Sequence, residues 1–207
     1  QCAKKDLTYY TGATGPVLRR LEELGYIRLI EEEQLRLPPV EPATLNGELI
    51  LSEEQQQAYE GLREKKKGVS LLYGITGSGK TSVYIKLIYD CLSRGQSTIL
   101  LVPEIALTPQ LLSLLAAHFG ETVAVQHSSL SPGERYDQWK RIRDSQARVV
   151  VGTRSAVFAP CKDLGLLIID EEQRFGVTHK EKIKQLKQNI DVLTLTATPI
   201  PRTLHMS

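Results

Sequence analysis

The sequence predicts an α/β fold, in which a parallel β-sheet is flanked by helices and contains a phosphate-binding loop. Three observations support it. Short runs of Val, Ile and Leu alternate with helical periods, a GITGSGKT segment (74–81) follows the first such run, and a proline-rich segment precedes them all. We therefore expect a small amino-terminal element (1–37), a linker (38–47) and one α/β domain (48–207).

The composition bounds the function without identifying it. A chain of 207 residues with 41% hydrophobic content is large enough for one core and a small appendage. The net charge of +2 is too small to indicate a nucleic-acid partner without local patches. Cys2, Cys91 and Cys161 are far apart and form no CxxC pair, which argues against a disulfide framework and a local zinc knuckle.

The ends of the chain suggest a cytoplasmic fragment. No run of about 18 apolar residues is present, and the amino end has neither a charged leader nor an apolar signal core. We expect a soluble protein that does not contact membranes. The sequence lacks an initiating Met and stops at HMS within a pattern, which is typical of a fragment.

The amino-terminal element reads as a helix followed by a short extended piece. Gly15 and Pro16 would open the helix, and Gly25 would end it. The alternation in YIRLIEEEQLRL favours a strand or wing, so the element resembles part of a winged helix; a helical hairpin without a ligand is an equal alternative. The segment LPPVEPATLNG has three prolines and predicts the linker. The helix would place four residues on one face: Val17, Leu18, Leu21 and Leu24.

Six short apolar runs predict buried parallel strands: 69–74, 97–103, 122–127, 147–153, 164–170 and 191–197. Four helical stretches lie between them: 81–94, 107–119, 131–144 and 178–189. Repeated strand–helix order implies right-handed crossovers, with helices on both faces of the sheet.

The segment GITGSGKT matches GxxxxGK[ST] in the required context, between a predicted strand and a predicted helix. Its backbone amides would bind phosphate, Lys80 would neutralise the β and γ phosphates, and the Thr81 hydroxyl would hold Mg²⁺. The alternative is a glycine-rich turn that merely precedes a helix. The other residues predicted to form the nucleotide site are Gly74, Gly77, Ser78 and Gly79.

Two carboxylates, Asp170 and Glu171, follow the apolar run LLII in the segment LLIIDEEQ. At the carboxyl end of a buried strand, Asp170 could reach Mg²⁺ while Glu171 polarises an attacking water, and together with Lys80 they are the predicted catalytic residues. The alternative is a pair of surface acids after a strand. Gln55, ahead of the first strand, could bind adenine through its amide. Equally, it could belong to a helix capped by Ser52.

The order of these segments resembles a known family. GITGSGKT, LVPEIALTPQ, VVVGTRSAVF, DEEQ and TATP are similar to motifs I, Ia, Ib, II and III of superfamily 2 helicases. Residues 1 to about 173 closely resemble the PriA family of bacterial replication-restart helicases, on the segments KKDLTYYTGATGPVLRRLEELGYI, HSSLSPGERYDQW and GTRSAVFAP. The resemblance implies a RecA-like first motor domain without its second motor domain. It also implies ATP and Mg²⁺ as cofactors and DNA, forked or single-stranded, as the partner, with replication-restart proteins as partners of the full-length protein.

The resemblance further implies where DNA binds. Thr108, Thr153 and Arg154 occupy positions at which such helicases hold the backbone of a strand, and hydroxyls and a guanidinium suit phosphate contacts. The structural alternative is that Thr153 and Ser155 only cap the turn after a strand.

The resemblance changes after Gln173. RFGVTHKEKIKQLKQNIDVLTLTATPIPRTLHMS is similar to the transcription-repair coupling factor and the RecG translocases, so the chain reads as a hybrid joined near 170–174. The tail contains a basic run, although such runs are usually solvated faces. Its members are His179, Lys180, Lys182, Lys184 and Lys187. We expect the sheet to close across the join, and we expect ATP hydrolysis to be uncoupled from DNA.

The sequence therefore predicts an ATP-dependent DNA helicase fragment that binds nucleotide better than it hydrolyses it, because the second domain would supply an arginine finger. Two alternatives remain open. One is a double-strand translocase of the coupling-factor type, and the other is a non-catalytic DNA- or protein-binding module that retains the P-loop fold.

Overall fold

The fold is given by a computed structural model, which describes residues 4–29, 41–45, 47, 49–64, 68–75, 77–170, 177–186 and 188–196. The chain divides into two compact units, Gln1–Leu35 and Arg36–Ser207. The predicted domain boundaries remain predictions, since most of the chain near them lies outside the described residues. Two described residues of the predicted linker belong to the larger unit and bond to Ser113 within it: Ala43 N donates to Ser113 O at 3.0 Å, and Ser113 Oγ donates to Glu41 O at 2.6 Å.

The smaller unit contains α1 (Lys4–Thr11) and α2 (Gly15–Glu23). Proline in the first turn opens α2 as predicted, whereas α1 was not predicted as a separate helix. The expected apolar face is only partly buried: Leu18 is buried, while Val17 and Leu24 are exposed. The predicted wing is not seen where the structure describes it, because residues 26–29 form no strand; residues 30–37 lie outside the described part.

The larger unit is a six-stranded parallel sheet of order β1-β6-β5-β2-β4-β3. All six predicted strands are present, so the predicted fold class is confirmed. The strands are β1 (Val69–Tyr73), β2 (Ser97–Leu101), β3 (Val123–Gln126), β4 (Val149–Gly152), β5 (Leu164–Asp170) and β6 (Asp191–Thr196).

Five helices connect or precede the strands: α3 (Glu53–Glu64), α4 (Lys80–Ser93), α5 (Pro109–Phe119), α6 (Pro132–Arg143) and α7 (Val177–Leu186). Three 3₁₀ helices lie at Glu104–Ala106, Gly120–Thr122 and Arg154–Phe158. The four helices predicted between strands are α4 to α7. Helix α6 begins with a full capping box, in which Ser131 accepts from Glu134 N and Glu134 bonds back to Ser131 N.

Each face of the sheet is covered by its own apolar layer. One layer joins α4 and α5 to the sheet and includes Ile88, Leu115 and Leu100, while the other joins α6 and α7 to it. The central strands β2 and β4 are buried along their whole length, as expected for a parallel sheet between helices. Among the described residues, no helix is long and apolar enough to cross a membrane.

The sheet closes across the predicted join. Strand β5 precedes the join and β6 follows it, and the two pair in parallel from Leu166 with Asp191 to Asp170 with Leu195. The expectation that strands resembling two families form one sheet is therefore confirmed.

Gly152 at the end of β4 provides a test of this packing. A Cβ there would lie 2.1 Å from the carbonyl oxygen of Gln126 on the neighbouring strand, so backbone would have to move. We expect Gly152→Ala to lower the free energy of unfolding by about 2 kcal/mol or more in urea titrations. Gly61→Ala is the matched control, because a Cβ on that exposed position of α3 meets nothing within 4 Å and should raise stability by about 0.5–1 kcal/mol. Equal unfolding free energies for Gly152→Ala and the parent would contradict the strand contact.

Candidate nucleotide-binding site

The phosphate-binding loop lies between β1 and α4, at the carboxyl edge of the sheet. Its start is fixed to the neighbouring strand, since Gly74 N donates to Thr196 O at 3.2 Å. Gly77 and Gly79 have φ of 81° and 76°, which glycine adopts without steric cost. Helix α4 follows at once with Lys80, so the amino-terminal end of the helix lies at the loop. Thr76, in the middle of the loop, lies outside the described residues.

Lys80 folds back into this loop. Its Nζ donates to the carbonyl oxygens of Gly74 at 2.6 Å and Ile75 at 3.0 Å. The ammonium thus already lies within the loop, bonded to neutral carbonyls. To bind a phosphate, Lys80 would exchange these bonds for stronger, charge-assisted ones.

Gln55 joins helix α3 to the loop, and its capping interpretation has a structural counterpart. It completes a capping box with Ser52: Gln55 N donates to Ser52 Oγ at 3.3 Å, and Ser52 N donates to Gln55 Oε1 at 3.0 Å. Its other amide atom, Nε2, donates to Ser78 O at 3.1 Å. Gln55 therefore contacts the backbone of the loop, and a Cβ on Gly79 would lie 2.1 Å from Nε2. An adenine contact remains a prediction.

Tyr84, which sequence reasoning missed, lies near both residues predicted to hold metal. It is buried on α4, one turn after Thr81. Burial, the largest influence, raises the pKa of Tyr84 to about 12, and the nearby Asp170 carboxylate acts in the same direction. The i,i+3 spacing from the P-loop threonine is the signal that would have identified this tyrosine.

Asp170 is the last residue of β5 and is half-buried. Its backbone is level with Leu195 of β6, which in turn is level with Leu72 of β1. Two strand spacings separate Asp170 from the strand before the loop, about 10 Å. Glu171, the predicted base, lies outside the described residues.

These residues fit Mg²⁺ and a nucleoside triphosphate chemically. A lysine ammonium and helix amides suit phosphate oxygens, and a hydroxyl and a carboxylate are hard oxygen ligands that suit Mg²⁺. When bound, Mg-ATP supplies the phosphoanhydride whose hydrolysis yields free energy.

The residues predicted to contact DNA follow β2 and β4 at the same edge of the sheet. Thr108 is half-buried and caps α5, since its Oγ1 accepts from Leu111 N at 3.3 Å. Thr153 is buried and makes no side-chain cap, contrary to the capping alternative for this residue. Arg154 is exposed and has no ion pair within the described part of the chain. Within the described ranges, Arg154 thus presents an exposed guanidinium at this edge.

Helix α7 packs against the 3₁₀ helix that begins with Arg154. The rings of Phe158 and His179 are 5.2 Å apart at 62°, and Val157 and Ile183 belong to one apolar layer. The segment after the predicted join therefore contacts the candidate DNA-binding segment before it. In the predicted basic run, Lys184 is exposed and Lys187 lies outside the described residues.

A parallel sheet with a P-loop at its carboxyl edge and a carboxylate two strands away defines a P-loop nucleotide-binding domain. The chain belongs to the DEAD/DEAH box helicase family, which matches residues 52–207. The predicted RecA-like helicase fold is thereby confirmed.

The chain is similar to curated helicases of two kinds. It is 41% identical over 181 residues to the replication restart protein PriA of Bacillus subtilis, covering 85% of this chain and 22% of the relative. It is 46% identical over 142 residues to the transcription-repair-coupling factor of the same organism, covering 66% of this chain and 12% of the relative. The predicted resemblances are confirmed. The second alignment is much longer than the tail after Gln173, so the likeness to the coupling factor extends into the region that resembles PriA.

Two solved structures of helicases have a fold similar to that of this chain. The structure of RecG bound to a three-way DNA junction aligns with a TM-score of 0.61 and 32% identity, covering 75% of this chain and 22% of that one. The UvsW helicase from bacteriophage T4 aligns with a TM-score of 0.54 at 19% identity, which supports the fold alone. The chain spans about a fifth of the length of the first curated relatives it matches.

Gln55 offers a test that separates capping from nucleotide contact. Gln55→Ala and Ser52→Ala both break the capping box, so each should lower stability by about 1 kcal/mol. Only Gln55→Ala also removes the amide beside the loop, so it alone should weaken ATP binding, by about tenfold in calorimetry. Equal ATP affinities for the two variants would restrict Gln55 to capping.

Proposed function

We propose that this chain is the first motor domain of a DNA helicase that binds Mg-ATP and hydrolyses it to drive movement on DNA in replication restart. The chain supplies one wall of the ATP site, and a second motor domain supplies the other together with an arginine finger. The protein acts in the cytoplasm on forked or single-stranded DNA, and replication-restart proteins are partners of the full-length protein.

One observation carries the ATP part of the proposal: Lys80, Thr81 and Asp170 converge at the carboxyl edge of the sheet. Lys80 Nζ is hydrogen-bonded inside the loop, Thr81 is the second residue of α4, and Asp170 ends β5. In the proposed roles, Lys80 neutralises phosphate charge while Thr81 and Asp170 hold the metal. Glu171 removes a proton from the attacking water. The similarity to PriA supports the replication-restart part.

The proposed DNA contacts lie at the carboxyl edge of the other half of the sheet, after β2 and β4. Arg154, Thr108 and Thr153 would contact backbone phosphates, through the guanidinium and the two hydroxyls. Such contacts carry no base sequence information, so binding should be independent of sequence and weaken with salt.

A second candidate is a double-strand DNA translocase of the transcription-repair coupling type. The 142-residue similarity to the coupling factor favours it, because that alignment is not confined to the tail. The two candidates share the ATP site and differ in the DNA that stimulates them.

Lys80→Ala tests the nucleotide site. We expect it to weaken Mg-ATP binding at least tenfold, about 1.4 kcal/mol, because the loop loses its only ammonium beside the phosphates. Lys86→Ala, on the same helix, is the control and should bind like the parent. Calorimetry measures both, and equal affinity for Lys80→Ala and the parent would refute the assignment.

Coupling between ATP and DNA is tested by joining the chain to the second motor domain of a replication-restart helicase. We expect ATP hydrolysis without DNA stimulation, because the segment after motif II resembles a different family from the DNA contacts before it. Steady-state ATPase rates with single-stranded, forked and duplex DNA decide the matter. A tenfold stimulation by forked DNA would show that the contact of α7 with the 3₁₀ helix couples the two halves, and stimulation by duplex alone would favour the second candidate.

A further inference from the structure

Helix α6 has an outward face that the proposed ATP and DNA contacts do not use. One side of the helix is buried against the sheet through Asp137, Gln138, Arg141 and Ile142. The other side, which we call the α6 aromatic face, consists of Arg135, Tyr136, Trp139, Lys140 and Arg143.

The aromatic side chains on this face form a short ladder. The rings of Tyr136 and Trp139 lie 6.2 Å apart and nearly parallel, at 18°. The guanidinium of Arg143 lies 4.9 Å from the centre of the Trp139 ring. Trp139 therefore lies close to both Tyr136 and Arg143, and Tyr136 is 58% exposed. The outer surface of the Tyr136 ring is available to a further planar group.

The charges on the same face are positive. Residues 135, 136, 139, 140 and 143 include three cations and no carboxylate. Arg135 donates to the backbone carbonyls of Ser128 and Leu130, which are neutral, so its charge is not compensated by these bonds. Arg143 is paired with Asp144, just beyond the helix. The face thus offers stacking surface together with positive charge.

The face adjoins the edge on which Arg154 lies. The backbone amide of Thr153 donates to Gln126 O, the last residue of β3, and the loop from β3 leads directly to the capped start of α6. Tyr136 lies five residues into the helix from Ser131, roughly 8 Å along its axis. A strand held at Arg154 could therefore continue over this loop to Tyr136.

We propose that the α6 aromatic face binds single-stranded DNA, with a base stacked on Tyr136 and a phosphate bound by Arg135. This rests on the proposed function, because it places a second contact on the strand that Arg154 holds. The combination of aromatic platforms with cations is the one that binds single strands without sequence preference. Paired bases in a duplex do not expose their faces, so an intact duplex would use only the cations.

The experiment uses the chain's single tryptophan, Trp139, as a reporter within the face. The whole chain is titrated with oligothymidylate and with an abasic deoxyribose-phosphate oligomer of the same length, following Trp139 fluorescence and the anisotropy of labelled DNA. We expect oligothymidylate to quench Trp139 and to bind more tightly than the abasic oligomer. Tyr136→Ala should weaken oligothymidylate binding by about fivefold or more and leave abasic binding unchanged.

Two matched variants control for exposure and ring chemistry. Tyr136→Phe keeps the ring and should bind like the parent. Tyr73→Ala removes a tyrosine of similar exposure, 54% against 58%, and should also bind like the parent. Tyr73 belongs to β1, the outer strand farthest from β3 and therefore from the start of α6.

Three results would overturn the proposal. Equal affinity for the abasic oligomer and oligothymidylate would exclude base stacking, and an unchanged affinity in Tyr136→Ala would place the stacked base elsewhere. Quenching by an acidic oligoglutamate peptide but not by oligothymidylate would assign the face to a protein partner. If anisotropy shows DNA binding that depends on neither the bases nor Tyr136, the proposed DNA function stands and only the α6 contact is refuted. If anisotropy shows no DNA binding at all, the α6 contact and the proposed DNA function are both refuted.

Discussion

The position of β6 between β1 and β5 is the constraint on which the candidate site depends. Strand β6 pairs with both neighbours in parallel, so the strand before the P-loop and the strand that ends at Asp170 lie two spacings apart, about 10 Å. Thr196 O also accepts the hydrogen bond from Gly74 N and fixes the start of the loop. A strand that carries no predicted catalytic residue therefore determines the separation of those that do.

Residues around the loop are held by contacts within the protein. Lys80 and Gln55 each donate from a side-chain nitrogen to a carbonyl oxygen of the loop. Such bonds restrict side-chain rotation. Lys80 is therefore kept within the loop, and a phosphate that binds there would have to replace the carbonyl oxygens as its partners.

The same edge of the sheet continues into the surface where DNA contacts are expected. Arg154 lies just after β4, in a 3₁₀ helix that packs against α7. Phe158 contacts His179 there, and Val157 and Ile183 share one apolar layer. Strand β3, next to β4, is followed by α6, which carries the stacked rings of Tyr136 and Trp139. Because parallel strands all end on one side, residues distant in sequence are brought to neighbouring loops, and a nucleotide and a strand of DNA could occupy adjacent parts of one edge.

The sequence alone determined the six strands, the helices between them, the P-loop and the carboxylate after β5. These features follow from local rules: apolar runs predict buried strands, and the glycine spacing before Lys80 predicts the turn. Only the tertiary structure decided the strand order, the contact of Gln55 with Ser78, and the burial of Tyr84 near Thr81 and Asp170. It also decided which face of α6 remains exposed. Those facts depend on pairing and packing between segments that are far apart in the chain, and no short pattern in the sequence encodes them.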